Sequence, residues 1–166
     1  MSIAELLLPE LDQEMANTRK GLERIPNDKL EWKATPKSNT IGWVGSHLVE
    51  MPGWTEPTLT SDFWDFEPPG GEPYRTPILH SSQEMVAEFD KHVATARAAI
   101  AAASDDTFMQ EWRLLQGGNE LFKGSKYTVI RCFVINHMVH HRAFLLGYLR
   151  LNGIPVPGMY GPSGDE

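Results

Sequence analysis

The stretch Asn136-His137-Met138-Val139-His140-His141-Arg142 carries two histidines, His137 and His141, four residues apart. On an α-helix, residues at this spacing project from the same face and almost in register. Two imidazoles placed in this way can bind one metal ion. The stretch therefore predicts a helix that supplies two ligands to a metal site.

A helical wheel drawn from this stretch places the two histidines within an apolar stripe. With His137 at zero and about 100° per residue, His141 falls at about 40° and Tyr148 at about 20°. Phe133 and Phe144 fall at about −40° and −20° on the same wheel. A buried imidazole loses hydration worth a few kcal/mol unless both nitrogens find partners, and a divalent metal satisfies one of them.

Length and charge limit the classes of protein to consider. The 166 residues suit one domain that buries a continuous core, so we predict a single domain over residues 1–166. The chain has 22 acidic and 15 basic side chains, and its Lys and Arg residues form no cluster that could follow a phosphate backbone. We therefore expect no nucleic-acid partner.

Three features of the sequence predict the cellular compartment. Cys132 is the single cysteine, and the N-terminus lacks the basic and then apolar pattern of a secretory signal. No apolar run approaches the ~18 residues that would span a bilayer. We expect a cytoplasmic protein without a membrane partner.

Hydrophobic periodicity predicts four helices. An N-cap from the run Ser38-Asn39-Thr40 precedes the second, and a capping box formed by Ser81 and Glu84 opens the third. The predicted helices cover residues 3–25, about 41 to the Pro52-Gly53 pair, 81 to about 103, and about 125–151, and a polar tail runs from 158 to 166.

Two segments between these helices have other patterns. Residues 56–80 are rich in Pro, Gly and aromatic side chains and predict a long ordered loop, whose aromatic residues pack against a pocket or a partner. The segment after residue 104 contains the turn Gly117-Gly118 and predicts a short hairpin or an irregular arm.

The fourth helix is apolar on nearly every side. Ile135, Val139 and Leu146 lie on the face opposite the histidines, at about 160° to 220° on the wheel. Such a helix is either central in its own bundle or lends its second face to another subunit. We expect a four-helix bundle that forms a homodimer.

Five motifs extend over almost the whole chain: Ile25-Pro26 with Leu30 and Trp32, Ile41-Gly42-Trp43 leading to His47-Leu48, Ile135 to Arg142, Tyr148-Leu149-Arg150, and Pro155 to Pro162. Together they resemble the DinB/YfiT-like superfamily. The resemblance implies an all-α, up-down-down-up four-helix bundle that holds a divalent metal, commonly nickel or zinc. A histidine of helix two and the H-x-x-x-H pair are the implied ligands, which here are His47, His137 and His141.

The resemblance implies several possible reactions on a small-molecule substrate. Members of the superfamily include metal-dependent hydrolases, S-transferases that use low-molecular-weight thiols such as bacillithiol or mycothiol, and a thiol-dependent isomerase. Our hypothesis is a metal-dependent hydrolase, in which the metal lowers the pKa of bound water from 15.7 toward ~7. The alternatives are a thiol-dependent S-transferase, and a non-catalytic metal-binding or interaction module whose loop around residues 63–66 meets a partner.

Other side chains are weaker candidates for this site. The histidines themselves could be satisfied core residues or a pH-sensitive pair. His140 could replace His141 as a ligand, but at about −60° on the wheel it flanks the stripe. Glu50 could orient a ligand or act as a general base, although a solvated helix-end glutamate is favoured. Tyr148 could donate to a bound oxyanion, although a core tyrosine is favoured.

Several remaining motifs are assigned no chemistry. Cys132 faces away from the histidines on the wheel, so we do not expect a Cys-His nucleophilic pair. The pair Lys123-Gly124 has the reverse of the Gly-Lys order that a phosphate-binding P-loop needs. His80 and His92 have no partner at ligand spacing and are assigned to the surface.

Overall fold

Helices supply most of the regular structure, and a small sheet completes it. The computed structural model describes residues 1–165, so Glu166 of the predicted polar tail lies outside the described residues. Within this part of the chain, every helix falls short of the length or the hydropathy that crossing a bilayer demands. In chain order the elements are α1 (Ile3–Leu22), α2 (Ile41–Glu50), α3 (Thr55–Thr60), β1 (Phe63–Asp65), α4 (Ser82–Ala102), α5 (Asp105–Met109), β2 (Glu111–Gln116), β3 (Asn119–Ser125), α6 (Lys126–Val129), a π-helical segment (Ile130–Asn136, the π segment below) and α7 (His137–Leu151).

One hydrophobic core joins the four longest helical units. Helix α1 packs against α4 and α7, and α2 packs against the same two helices. Gly45 permits a close approach here, since a Cβ atom at this position would lie 2.8 Å from Sδ of Met85 and 2.9 Å from Cδ1 of Ile25. His47, two residues after Gly45, is therefore buried between the helices.

The starts of the helices follow the predicted caps. The Thr40 hydroxyl accepts a hydrogen bond from the backbone N–H of Trp43, and that of Ser81 accepts from the N–H of Glu84. The Glu84 carboxylate accepts from the N–H of His80, so the predicted capping box closes on the residue before Ser81. The end of the first helix was predicted less well, since α1 ends at Leu22 and not at residue 25.

The predicted loop over residues 56–80 is wrong at its beginning. A 3₁₀ turn (Met51–Trp54) follows α2 directly, and α3 continues the helical path to Thr60. Pro52 and Pro57 both occupy early positions of their turns, where the missing N–H has no helical partner to lose. The helical path therefore does not end at the Pro52-Gly53 pair but bends through a 3₁₀ turn that contains Trp54.

A three-stranded sheet covers one side of this bend. Strand β1 pairs in parallel with β2, and β2 pairs with β3 in antiparallel register, with Trp112 opposite Gly124. Gly117 and Gly118 have φ values of +60° and +77°, the left-handed backbone that a tight hairpin turn requires at both positions. The predicted hairpin is confirmed. Residues 63–65, predicted as loop, form the edge strand β1.

The predicted fourth helix is interrupted by the π segment, and its apolar stripe was wrongly placed. The residues of α7 that are fully buried in the core are Met138, Leu145 and Leu149, which lie about 80° to 120° from His137 on the wheel. Phe144, which the wheel put beside the histidines in the stripe, is exposed. His137 and His141 thus lie at the edge of the core and not at its centre.

The far face of the same helix lies largely within the fold. Ile135 is buried in the core, and Leu146 packs over Gly21 of α1, with 3.6 Å from its Cδ2 to the position of a Cβ atom there. Of the two predicted explanations for this apolar face, packing within the chain's own core is the one observed. The homodimer stays a prediction.

A buried ion pair fastens the end of the chain to the core. Arg142 is 2% exposed and donates to the carboxylate of Glu14, which is 7% exposed, at 2.6 Å. The same guanidinium donates to the Glu14 carbonyl and to the Thr18 hydroxyl at 3.0 and 3.2 Å. The Tyr160 hydroxyl donates to the Glu14 carboxylate at 2.8 Å. This network connects α1, α7 and the C-terminal segment.

We predict that Arg142→Met lowers the free energy of unfolding by about 3–5 kcal/mol, because it leaves the Glu14 carboxylate buried without its cation. Urea denaturation followed by circular dichroism measures the loss. The double variant Glu14→Leu/Arg142→Met should recover most of it, since an apolar pair removes the unpaired charge. A double variant as unstable as Arg142→Met would contradict this account.

Candidate metal centre

Three histidines from two distant segments converge at one point. His47 lies on the last turn of α2, His137 begins α7, and His141 follows one turn later. Each offers a ring nitrogen, and these three atoms all lie within 4.8 Å of one another. The Nε2 atoms of His137 and His141 are 3.0 Å apart. The structure thus brings together all three predicted residues, called the triad below.

The surroundings keep two of these imidazoles neutral. Burial lowers the pKa of His137, and its proximity to His47 lowers it further. Burial in the first place, and then the neighbouring His47 and His137, lower the pKa of His141 to about 3. A neutral imidazole keeps a nitrogen lone pair for a metal ion, whereas a protonated one does not.

Glu50 orients the ring of His47 through a hydrogen bond to its Nδ1 atom. Its Oε1 atom accepts a short hydrogen bond from Nδ1 of His47, and the hydroxyls of Thr76 and Tyr74 also donate to its carboxylate, the former at 2.7 Å. Because Glu50 is only 6% exposed, the favoured alternative of a solvated helix-end glutamate is wrong. The contact occupies Nδ1 of His47 and leaves Nε2 for a ligand bond, as carboxylate partners do at metal sites.

Among residues 1–165, the buried Nδ1 atoms of His137 and His141, which face away from the triad, lack hydrogen-bond partners. The Phe133 carbonyl raises the pKa of His137, opposing the effect of burial, but it does not meet hydrogen-bond geometry with Nδ1. One proton shared between the two Nε2 atoms leaves this pair poorly satisfied, whereas a cation accepts both lone pairs. The donor set therefore fits a metal ion.

Tryptophans enclose the triad. The ring of Trp43 stacks on His47 with 4.6 Å between centroids, and Trp54 approaches His47 and His137 at 5.6 and 5.9 Å. Trp54 reaches this position because the bend after α2 places it there. Large apolar rings around a charged centre exclude water and strengthen electrostatic interactions within it.

An aromatic cavity of about 560 Å³ begins at the triad. It lies between α3, the sheet and the π segment, and His137 is the triad member that lines it. Phe63, Trp64 and Phe66 of the predicted aromatic loop line this cavity, in line with the pocket of the two predicted alternatives, and the partner stays a prediction. The lining residues are Trp54, Pro57, Thr58, Ser61, Phe63, Trp64, Phe66, Tyr74, Trp112, Leu114, Val129, Phe133, Val134 and His137.

His140 and Tyr148, the weaker candidates on the predicted fourth helix, lie outside the triad. The His140 side chain is exposed and packs edge-on against Phe144, with 4.8 Å between centroids. Tyr148 is half-buried and packs against Trp32 at 5.5 Å. The structure therefore favours the core-tyrosine interpretation of Tyr148 and groups His141, not His140, with His137.

Three further residues were assigned to places away from the site. Cys132 is exposed and is not part of the triad. His80 is exposed, as predicted. The assignment of His92 to the surface is wrong in part, because its half-buried ring forms a hydrogen bond through Nδ1 with the Val49 carbonyl at 2.8 Å.

Sequence reasoning missed most of the residues that support the triad. Glu50 carried a signal, since it follows His47 by three residues and shares its side of the helix. Tyr74 and Thr76 carried none, because a non-helical segment far along the chain brings them to Glu50. Trp112 reaches the cavity only through the pairing of β2 with its neighbouring strands.

Comparison with known proteins agrees with this geometry. The model of the DinB family matches residues 1–166. The chain belongs to the DinB family. It is 29% identical over 149 residues to YrdA of Bacillus subtilis (strain 168), a protein described as uncharacterized, and the match covers 90% of this chain and 83% of that protein.

Two crystal structures of DinB-like proteins share the fold. The protein from Bacillus cereus ATCC 10987 has a TM-score of 0.71 at 22% identity, covering 96% of this chain and 98% of that one. YjoA from Bacillus subtilis has a TM-score of 0.69 at 13% identity, covering 93% and 97%. These similarities place the whole chain in a DinB-like fold.

We predict that the metal-free DinB protein loses stability as the pH falls below about 6.5, the ordinary pKa of histidine. The folded chain keeps His141 neutral down to a pKa of about 3, so between these values the unfolded chain binds more protons and is favoured by acid. Urea midpoints measured with chelator between pH 7.5 and 4.5 test this.

The matched control for this titration is His141→Gln, which keeps a polar side chain but removes the proton-binding group. Its urea midpoint should depend less steeply on pH than that of the wild type, and the difference between the two slopes isolates the imidazole. Identical slopes would show that His141 does not resist protonation in the folded chain.

Proposed function

We propose that this DinB protein is a metal-dependent enzyme whose triad holds one divalent ion, nickel or zinc, and that it hydrolyses a small-molecule substrate. The observation that carries the proposal is the convergence of three imidazole nitrogens within 4.8 Å, two of them on rings with lowered pKa values. We also infer that α1, α2, α4 and α7 form the predicted up-down-down-up bundle, because each packs on two of the others.

The number of ligands supports a catalytic ion over a structural one. Structural zinc sites take four protein ligands, whereas catalytic sites take three and keep a position for water or substrate. Among the residues described, the cluster contains three possible ligands. A divalent ion held there supplies Lewis-acid chemistry, by acidifying water or by polarising the substrate.

The protein's own residues hold, orient and enclose this centre. Glu50 fixes the tautomer of His47 so that Nε2 faces the other two rings, and Thr76 in turn holds Glu50. Trp43 and Trp54 exclude water from the triad, and the aromatic cavity beside His137 receives the substrate.

One observation favours the S-transferase alternative. The Glu50 carboxylate accepts hydrogen bonds from His47, Thr76 and Tyr74, so three of its roughly four acceptor sites are engaged and it is badly placed to act as a general base. A metal deprotonates a coordinated thiol outright, without a protein base. A low-molecular-weight thiol is therefore the second candidate nucleophile.

We predict that the purified wild type contains about one equivalent of nickel or zinc per chain, and that His47→Ala, His137→Ala and His141→Ala each lose it. Glu50→Gln keeps all three ligands but should lower metal affinity about 10- to 100-fold, because the carboxylate no longer orients His47. Elemental analysis and competition with a chelator measure the two effects.

The matched control for these variants is His140→Ala, which removes an adjacent, exposed imidazole and should retain metal. Thermal melts of the metal-free variants show whether each remains folded. Metal loss in His140→Ala with retention in a folded His141→Ala would exclude the proposed ligand set. A fourth protein ligand revealed by X-ray absorption would support the non-catalytic metal-binding module instead.

We predict that the metal-loaded protein turns over an uncharged aromatic ester without added thiol, and that chelation abolishes the reaction. The same assay is run with an aromatic epoxide and a panel that includes bacillithiol, mycothiol and cysteine. A conjugate that needs both metal and thiol, without ester hydrolysis, would replace the hydrolase with the S-transferase. Absence of both reactions in fully loaded protein would contradict an enzymatic role on these substrates.

A further inference from the structure

The aromatic cavity has a chemistry that narrows the class of its ligand. We propose that it binds an uncharged aromatic small molecule, with the ring system among the aromatic side chains and one polar group directed toward His137. The inference rests on the proposed function only in treating this ligand as the substrate. Binding itself depends on the cavity and not on the metal.

The wall of the cavity is built from rings that support one another. Trp64 packs against Trp54 at 5.9 Å, against Phe66 at 6.2 Å and edge-on against Tyr74 at 5.0 Å between centroids. On the opposite side, Phe133 of the π segment also lines the cavity. Flat aromatic ligands gain from offset and edge-on contacts with such rings beyond the burial of their apolar area.

The hydroxyl groups along the wall are already engaged within the protein. The Thr58 hydroxyl donates to the Trp54 carbonyl at 2.8 Å, and that of Ser61 donates to the Pro57 carbonyl at 2.7 Å. The Tyr74 hydroxyl donates to Glu50. Among the lining residues, the buried polar groups without a partner in residues 1–165 are the His137 imidazole and the indole N–H groups of Trp54 and Trp112. Trp54 lies beside His137 at 5.9 Å between centroids, so this end of the cavity can receive a polar atom of the ligand.

Charged side chains near the cavity are engaged elsewhere. The ammonium group of Lys126 is buried, donates to the Leu59 carbonyl at 3.0 Å and lies 3.6 Å from Asp62. None of the lining residues is Lys, Arg, Asp or Glu. An ionised group entering the cavity would lose its hydration without gaining a counter-ion, which is strongly unfavourable. The cavity therefore selects against charged ligands.

The size and access of the cavity suit a small organic molecule. Its volume of about 560 Å³ falls within the range of about 300–1,000 Å³ that small-molecule sites occupy. Phe63, which is 50% exposed, forms part of its lining and is also reached by solvent. A ligand can therefore enter beside Phe63 and reach His137 at the triad.

The test uses two probes that differ mainly in charge, naphthyl methyl ketone and naphthoate. Titration calorimetry on the full chain is done first as purified and then after chelation, so that an anion cannot bind through the metal. We expect one ketone per chain in both preparations, and about 30-fold or more weaker binding of naphthoate to the chelated protein. In NMR spectra, the indole N–H signals of Trp54, Trp64 and Trp112 should shift when the ketone is added.

Three variants locate the binding. Leu114→Trp fills the cavity and should weaken ketone binding about 10-fold or more, and Phe63→Ala, at an exposed position that tolerates truncation, should weaken it about 3- to 10-fold. Leu121→Ala is the control, because Leu121 lies on β3, is 56% exposed and does not line the cavity. Its affinity should equal that of the wild type, and thermal melts confirm that each variant is folded.

Three results would overturn the proposal: equal affinity for the two probes in chelated protein, no ketone binding up to its solubility, or ketone binding unchanged in a folded Phe63→Ala. These results are separable from failure of the metal site. If the triad does not hold metal, elemental analysis shows this while ketone binding persists. If the cavity does not bind aromatic molecules, metal is retained while the calorimeter shows no ketone binding.

Discussion

The packing of α2 against α7 is the constraint on which the rest of the structure depends. It brings His47 to the pair His137 and His141, so that ring nitrogens from segments 90 residues apart in the sequence lie within 4.8 Å. Both helices also pack on α1 or α4 through buried apolar side chains. Burial in this setting lowers the pKa values of His137 and His141 and keeps their lone pairs for a cation. The packing that forms the fold thus also forms the triad.

The polar groups buried near this contact differ in whether they have hydrogen-bond partners. Glu50 collects donors from His47, Thr76 and Tyr74, which joins the segment before α4 to the triad. Arg142 and Glu14 are satisfied by each other and by neighbouring groups on three segments. The Nδ1 atoms of His137 and His141 are not satisfied within residues 1–165. The indole N–H groups of Trp54 and Trp112, which line the cavity, also lack partners there, as does the Thr55 hydroxyl, so unmet hydrogen-bonding capacity extends from the triad to the cavity wall.

Two departures from regular helix create the space beside the triad. The 3₁₀ turn that bends the chain after α2 places Trp54 against both the histidines and the cavity. The π segment before α7 contributes Phe133 and Val134 to the opposite wall, and π turns inside helices are frequent at functional sites. Continuous regular helices were the simplest expectation, but the deviations from them form the cavity. His137 lines this cavity and connects it to the triad.

The sequence by itself determined the four long helices, the hairpin turn at Gly117-Gly118 and the histidines to consider, because each depends on local spacing or on a resemblance carried by short motifs. It did not reveal the short helices α3 and α5. It did not determine which face of α7 is buried, because apolar residues surround the helix, and it did not reveal the π segment that precedes His137. Tertiary structure alone decided the burial of Glu50, its contacts with Tyr74 and Thr76, and the place of Trp112 in the cavity. These are long-range contacts, and their energy depends on partners that no local pattern specifies.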